Sequence, residues 1–212
     1  VASRVSAMRH GVMGTNRSGK TTVLHALACA FAPVANGGDY KFPMFFKPNT
    51  DALWKDSRFE IVHGGRLGAE TLSNQRQEYR KDADRWSPRY GNRPHRFVKL
   101  VGIGESVPDV ESISKNSMIH YSKSPRKTII DAEVLQYAGK VLNEDYSHYY
   151  DVVYSYRARS SIAVSAGGVT YSGLSMSSGE QRVFRILETV FSAPKYALIL
   201  VDEIDLFLHQ DA

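Results

Sequence analysis

Val23, Leu24, Leu27 and Phe31 recur at the spacing of one helix face. They follow an apolar approach running from Val5 to Met13 and a glycine-containing loop, and Ala32-Pro33 with Asn36-Gly37-Gly38 ends the helix. From about residue 40 to 159 the texture is irregular, rich in aromatics, arginines and turn residues. Short apolar runs predict strands at Phe42–Phe46, Phe59–His63, Phe97–Ile103 and Tyr149–Tyr156. A helix is predicted from Ile129 to Leu142, with Val134, Leu135, Ala138, Val141 and Leu142 on one side. Order then returns. Ile162–Val164 and Val169–Tyr171 flank Ala166-Gly167-Gly168 and predict a β-hairpin. A helix follows from about Gly179 to Phe191, with Val183, Ile186, Leu187 and Val190 as its stripe. Last comes a strand from Tyr196 to Val201, apolar on both faces, as in the interior of a covered parallel sheet. The pattern predicts an α/β fold with a core at about 1–35 and 160–212 and a long insertion at about 36–159.

The composition is globular: 42% hydrophobic, 23% charged and 212 residues, enough for a sizeable core. A net charge of +5 permits a nucleic-acid partner without requiring one. The single cysteine, Cys29, excludes a disulfide scaffold, suits a reducing cytoplasm and reads as a small buried residue. No apolar run approaches the roughly 20 residues that a membrane-spanning helix needs. The chain opens on Val1 rather than Met and stops a few residues after its last strand, so further sequence is expected at both ends.

Three segments carry chemistry. Gly14-Thr15-Asn16-Arg17-Ser18-Gly19-Lys20-Thr21-Thr22 matches G-x-x-x-x-G-K-[ST], a P-loop, between an apolar approach and a helix. Its glycines let successive backbone N–H groups face phosphate oxygens; Lys20 reaches the β- and γ-phosphates and the Thr21 hydroxyl ligates Mg²⁺. At the far end, Asp202 and Glu203 close the apolar strand, placing one carboxylate to hold the metal through water and the next to polarise the attacking water. Between them stands Leu174-Ser175-Met176-Ser177-Ser178-Gly179-Glu180-Gln181, at the start of a helix. By itself this is a helix cap, and its positive end is an anion site.

The order of these segments, with Ser177, Ser178, Gly179 and Glu180 in the middle, resembles the signature of ABC-type ATPases in their soluble SMC-like branch. That resemblance implies a P-loop NTPase fold, ATP and Mg²⁺ as cofactors, and a homodimer or higher homo-oligomer. In it each signature serine and glycine would meet the γ-phosphate held by the other subunit. Asp202-Glu203-Ile204-Asp205-Leu206-Phe207-Leu208-His209 is similar to the D-E-P-E-x-x-L-H stretch of overcoming-lysogenization-defect ATPases, with Ile204 in place of Pro. The combined wording also resembles ATPases of bacterial anti-phage systems (PARIS, Septu, retron-linked), which implies a nuclease or other toxic effector as partner. A DNA-repair or recombination ATPase that clamps DNA is the alternative; a transporter subunit fits the tail and the long middle region poorly. Arg17 departs from the family, where Gly or a small residue is usual. Gln75, Gln77 and Gln136 all remain open as the Q-loop residue.

Arg76, Arg80, Lys81, Arg85, Arg89, Arg93, Arg96 and Lys99 interleave with Tyr79, Trp86, Tyr90 and Phe97. This Arg76–Lys99 segment suits a nucleic-acid or protein-docking surface. The moderate charge excess and the lack of a nucleic-acid-binding motif favour instead an insertion whose arginines pair locally. No other catalytic constellation competes.

Overall fold

The computed structural model describes residues 10–15, 17–67, 70–113, 118–156 and 158–204. The expected apolar approach from Val5 lies largely outside them, as do Asn16 and the tail from Asp205 to His209. The chain is mixed α/β and divides into two compact units. One comprises the described residues up to Pro33 together with Asp39–His95; the other comprises Val34–Gly38 and the described residues from Arg96 onward.

In the first unit, α1 (Lys20–Cys29) precedes a short α2 (Phe42–Phe45) and an antiparallel hairpin of β1 (Ser57–Leu67) and β2 (Glu70–Lys81). The core is aromatic. Phe42 and Tyr79 are fully buried, Phe42 stacks on Trp86 at 4.2 Å, and Phe59 stacks on its cross-strand partner Tyr79 at 4.8 Å. Phe42–Phe46 was expected as a strand and is a helical turn, closed by Phe46 N–H donating to Phe42 O at 2.8 Å. Pro43 explains the difference: its fixed φ suits a first helical turn, and it has no N–H for a ladder. Of the expected stripe, Phe31 is buried and Leu24 and Leu27 are half-buried, while Val23 is 47% exposed; Ala28 and Cys29 are buried as well. There Tyr79 OH donates to Ala30 O (2.5 Å) and Arg93 Nη1 to Cys29 O (2.7 Å), meeting carbonyls that a helix end leaves unpaired.

In the second unit, β3 (Val98–Val101) and the four-residue helix α3 (Asp109–Ser112) precede β4 (Tyr121–Pro125), α4 (Asp131–Leu142) and β5 (Tyr146–Tyr154). The hairpin of β6 (Ser160–Ala166) and β7 (Val169–Ser172), α5 (Ser178–Ser192) and β8 (Leu198–Val201) follow. β4-β5-β6-β7 form an antiparallel sheet, and β3 pairs in parallel with β8. Gly167 and Gly168 have φ of 55° and 79°, the left-handed pair that a tight two-residue hairpin needs. Val134 and Ala138 of α4, Val183 and Phe184 of α5, and Tyr149, Val164 and Met176 make one core. The α4 stripe is narrower than expected, since Val141 is 53% exposed. β5 starts three residues before the expected strand, because its ladder with β6 begins at Tyr146 opposite Ala166. β8 was expected inside a covered sheet; among the described residues it pairs only with β3, and only its Leu200 is buried.

Two outcomes test this packing. Gly-to-Ala inside a helix ordinarily adds about 0.5–1 kcal/mol of stability. At Gly139 a Cβ would lie 2.6 Å from the backbone oxygen of Glu144, where α4 turns through left-handed Asn143. Gly139→Ala is therefore expected to destabilise by about 1–3 kcal/mol in urea unfolding; a gain in stability would refute this turn. In the first unit, burial pushes the Cys29 thiol up from 9.0 to about 12, against a smaller pull downward from Arg93. A raised thiol pKa contributes stability that is complete below about pH 9 and is lost as pH rises through about 12. Because the thiolate is the reactive form, iodoacetamide at pH 8 should label Cys29 only after denaturant is added; labelling in native buffer would contradict its burial.

Candidate functional site

Two groups of the expected site residues are assembled, one in each unit. In the first, the loop before α1 turns through Gly14 (φ 156°), Arg17 (φ 68°) and Gly19 (φ 86°), with Ser18 N–H bonded to Thr15 O. Gly14 has a φ that L side chains rarely adopt, and a Cβ there would also displace the Ser18 hydroxyl, 2.8 Å away. Lys20, the first residue of α1, folds back so that Nζ donates to Gly14 O (2.9 Å) and Thr15 O (3.0 Å). The N-cap is Gly19, so no N-cap side chain answers the positive end of α1. Thr21 and Thr22 follow in the first turn, half-buried and exposed respectively. Arg17 adopts the left-handed conformation that glycine takes without strain.

In the second unit, Asp202 is buried and its N–H donates to Val101 O at 3.0 Å, carrying the parallel ladder one step beyond β8. Glu203 is exposed, with φ 48°. Sparsely populated backbone of this kind persists only where the surroundings hold it. Here the holder is Arg182 of α5, 1% exposed, whose Nη2 donates to the carbonyls of Asp202 (2.5 Å) and Glu203 (2.8 Å). The sequence reading missed this arginine, because an Arg beside a helix stripe reads as surface.

At the start of α5, Ser177 is the N-cap: its Oγ accepts from Glu180 N–H at 3.1 Å. Ser178 opens the helix and Gly179 is buried. Glu180 is committed to the fold, since its Oε1 accepts from Tyr146 OH (2.9 Å) and Tyr171 OH (2.7 Å). Burial first, and these bonds to Glu180 second, raise both phenols above their ordinary range. Gln181 Nε2 donates to Gly173 O (2.7 Å) and Met176 O (3.2 Å), while its Oε1 accepts from Asp109 N–H (3.2 Å). Tyr146, Tyr171, Gln181 and Arg182 are thus support for the site that periodicity alone does not reveal.

The basic aromatic segment divides between the units. Arg76 pairs with Glu60 (3.2 Å) and Arg80 with Asp82 (3.0 Å); Lys81 donates to Leu53 O, and Arg93 stacks over Phe42 at 4.5 Å. Arg96 Nε, in the second unit, donates to Tyr196 O at 3.1 Å. These pairings favour the local structural reading of the segment. Gln75 and Gln77 lie on β2 with side chains bonded to nearby backbone, and Gln136 is exposed on α4, so none is singled out.

Among the described residues no group of three or more His, Cys, Asp or Glu could hold a metal by itself, and no helix is long and apolar enough to cross a membrane. Compared with protein-family models, curated proteins and solved structures, the chain matches none.

The cap makes a stability prediction. Ser177→Ala should cost about 1 kcal/mol, while Ser177→Asp, which still accepts from the Glu180 amide, should cost little. Chemical denaturation of the three proteins checks this; equal loss in both variants would show that the hydroxyl is not a cap.

Proposed function

We propose that the protein is an ATP-binding and ATP-hydrolysing ABC/SMC-like ATPase with a P-loop NTPase fold. On this reading it dimerises around nucleotide in the cytoplasm and gates an effector such as a nuclease, in bacterial anti-phage defence. The observation that carries the proposal is the loop from Gly14 to Lys20. It combines left-handed turns, a lysine drawn over its own carbonyls and a helix start whose N-cap is glycine. An oxyanion is the partner this arrangement suits, because amides, helix dipole and ammonium all favour negative charge at one place.

The residues fit the cofactors. Two of the three Lys20 N–H groups hold the loop, and the third remains for a phosphate oxygen. On this reading a nucleotide-bound Mg²⁺ would take most of its ligands from phosphates and water, with the Thr21 hydroxyl and the Asp202 carboxylate as the expected protein ligands. Bound Mg²⁺ would offset the charge that develops on the phosphates. Glu203 accepts a proton from water, and the left-handed turn that Arg182 holds gives its carboxylate a fixed origin. Ser177, Ser178 and Gly179, with the dipole of the 15-residue α5, would offer a second anion site to a neighbouring subunit.

Lys20→Ala should lose at least tenfold in ATP affinity while keeping its fold, because the one point charge on the phosphates is gone. Glu203→Gln should bind Mg-ATP and form a long-lived dimer with turnover reduced at least a hundredfold, as expected for a lost general base. Ser177→Asp should keep nucleotide affinity but lose ATP-dependent association and turnover. Mixing it with Lys20→Ala should restore part of the turnover, since one of the two composite sites in a mixed dimer carries neither lesion. Parental affinity in folded Lys20→Ala would overturn the nucleotide site; parental turnover in Ser177→Asp would overturn the shared-site arrangement.

A further inference from the structure

The second unit carries an open depression of about 540 Å³ lined by Gly104, Val107, Ser112, Arg159 and Arg185. A neighbouring cavity of about 350 Å³ shares Ser112 and Arg159 and adds Ile113 and Tyr156. Behind them sits Asp109, 1% exposed, whose Oδ1 lies 3.3 Å from Arg159 Nη2 and 3.5 Å from Arg185 Nη2. Its Oδ2 accepts from Tyr154 OH (3.0 Å) and from the Ser161 hydroxyl, and Arg159 Nη1 donates to Ser112 Oγ. A Cβ at Gly173 would collide with this carboxylate, so the aspartate is enclosed on that side as well.

Among the described residues two guanidiniums share one carboxylate, leaving a positive excess at a concave wall where the Arg159 and Arg185 side chains are still 36% and 31% exposed. Each guanidinium carries five N–H donors, and Asp109 with Ser112 uses only a minority of them. Asp109 acts as a positioning residue, orienting two arginine forks that would otherwise repel and splay. Guanidinium forks match oxyanions. Ser112 already donates its hydroxyl to Asp109 O at 2.9 Å, so the donors left to a ligand are those of the Arg159 and Arg185 forks, which can meet a phosphate dianion from two sides. The larger volume lies in the range of small-ligand sites, and the neighbouring cavity offers the apolar Ile113 and the ring of Tyr156.

We propose that this depression binds a phosphate monoester of mononucleotide size, with its phosphate between Arg159 and Arg185 and its flat apolar part toward Ile113 and Tyr156. The site is separate from the Gly14–Lys20 loop, and the proposal does not rest on ATP hydrolysis.

Calorimetry on Lys20→Ala protein without Mg²⁺ tests it, using AMP, adenosine and inorganic phosphate as probes. AMP should bind saturably, and adenosine and inorganic phosphate each at least tenfold more weakly. Gly104→Asp places a carboxylate on the wall at a position where a Cβ meets nothing within 4 Å, so the fold should survive. It should weaken AMP at least tenfold. Arg159→Gln, which leaves Arg185 to balance Asp109, should do the same. No saturable AMP binding at millimolar concentration would overturn the proposal, as would equal affinity for adenosine or an unaltered affinity in folded Gly104→Asp. Inorganic phosphate binding as tightly as AMP would overturn the mononucleotide assignment. AMP binding present in the parent but absent in Lys20→Ala would place the ligand at the loop instead.

Discussion

Three consecutive polar side chains at the start of α5, Glu180, Gln181 and Arg182, are buried at 9%, 3% and 1% exposure. Burying such groups without partners costs several kcal/mol each, so their hydrogen bonds dictate what surrounds them. Glu180 draws Tyr146 of β5 and Tyr171 of β7 to the helix start. Gln181 fixes the loop at Gly173 and Met176 and the first residue of α3. Arg182 reaches the turn beyond β8. One helical turn thereby ties the antiparallel sheet, the loop before α5 and the Asp202–Glu203 turn into a single polar network.

That network also sets which residues remain available to a ligand. Glu180 is a carboxylate held by two phenols and has no donor for an external anion, so the groups this turn can offer one are the Ser177 and Ser178 hydroxyls and backbone amides. The same helix carries Arg185 one turn beyond Arg182, and there the logic reverses. Arg182 is consumed by carbonyls, whereas Arg185 shares a carboxylate with Arg159 and keeps donors to spare. Position along one helix decides which arginine is structural and which is presented.

Much of this was legible in the sequence, for physical reasons. α4, α5 and the β6–β7 hairpin have strong local signals: an apolar stripe in the helices, and paired glycines between alternating runs in the hairpin. The turn before α1 was legible because Gly14, Gly19 and Lys20 stand at a recognisable fixed spacing. Phe42–Phe46 was misread because five mostly aromatic residues suit a strand as well as a helical turn, and Pro43 decides between them only through its missing N–H. The buried polar network was not legible at all. Charged residues are surface residues by default, and nothing local in Glu180 or Arg182 announces partners 34 residues before one and 20 residues after the other. Asp109 is hidden for the same reason.

The two ends of α1 are treated oppositely, and this asymmetry bears on the nucleotide reading. At the C-terminal end, Cys29 and Ala30 carbonyls receive Arg93 and Tyr79, so the negative end of the dipole is answered from within the first unit. At the N-terminal end the cap is Gly19, which has no side-chain oxygen to offer; against Ser, Thr, Asp or Asn this costs only a few tenths of a kcal/mol, and its φ of 86° suits glycine. The loop adds cost through Arg17, a non-glycine residue held in the left-handed region at roughly 1–2 kcal/mol. Glycine at position 17 would relieve the second cost. An oxyanion bound at this end would meet the dipole and the Lys20 ammonium together, which is the charge the helix start favours.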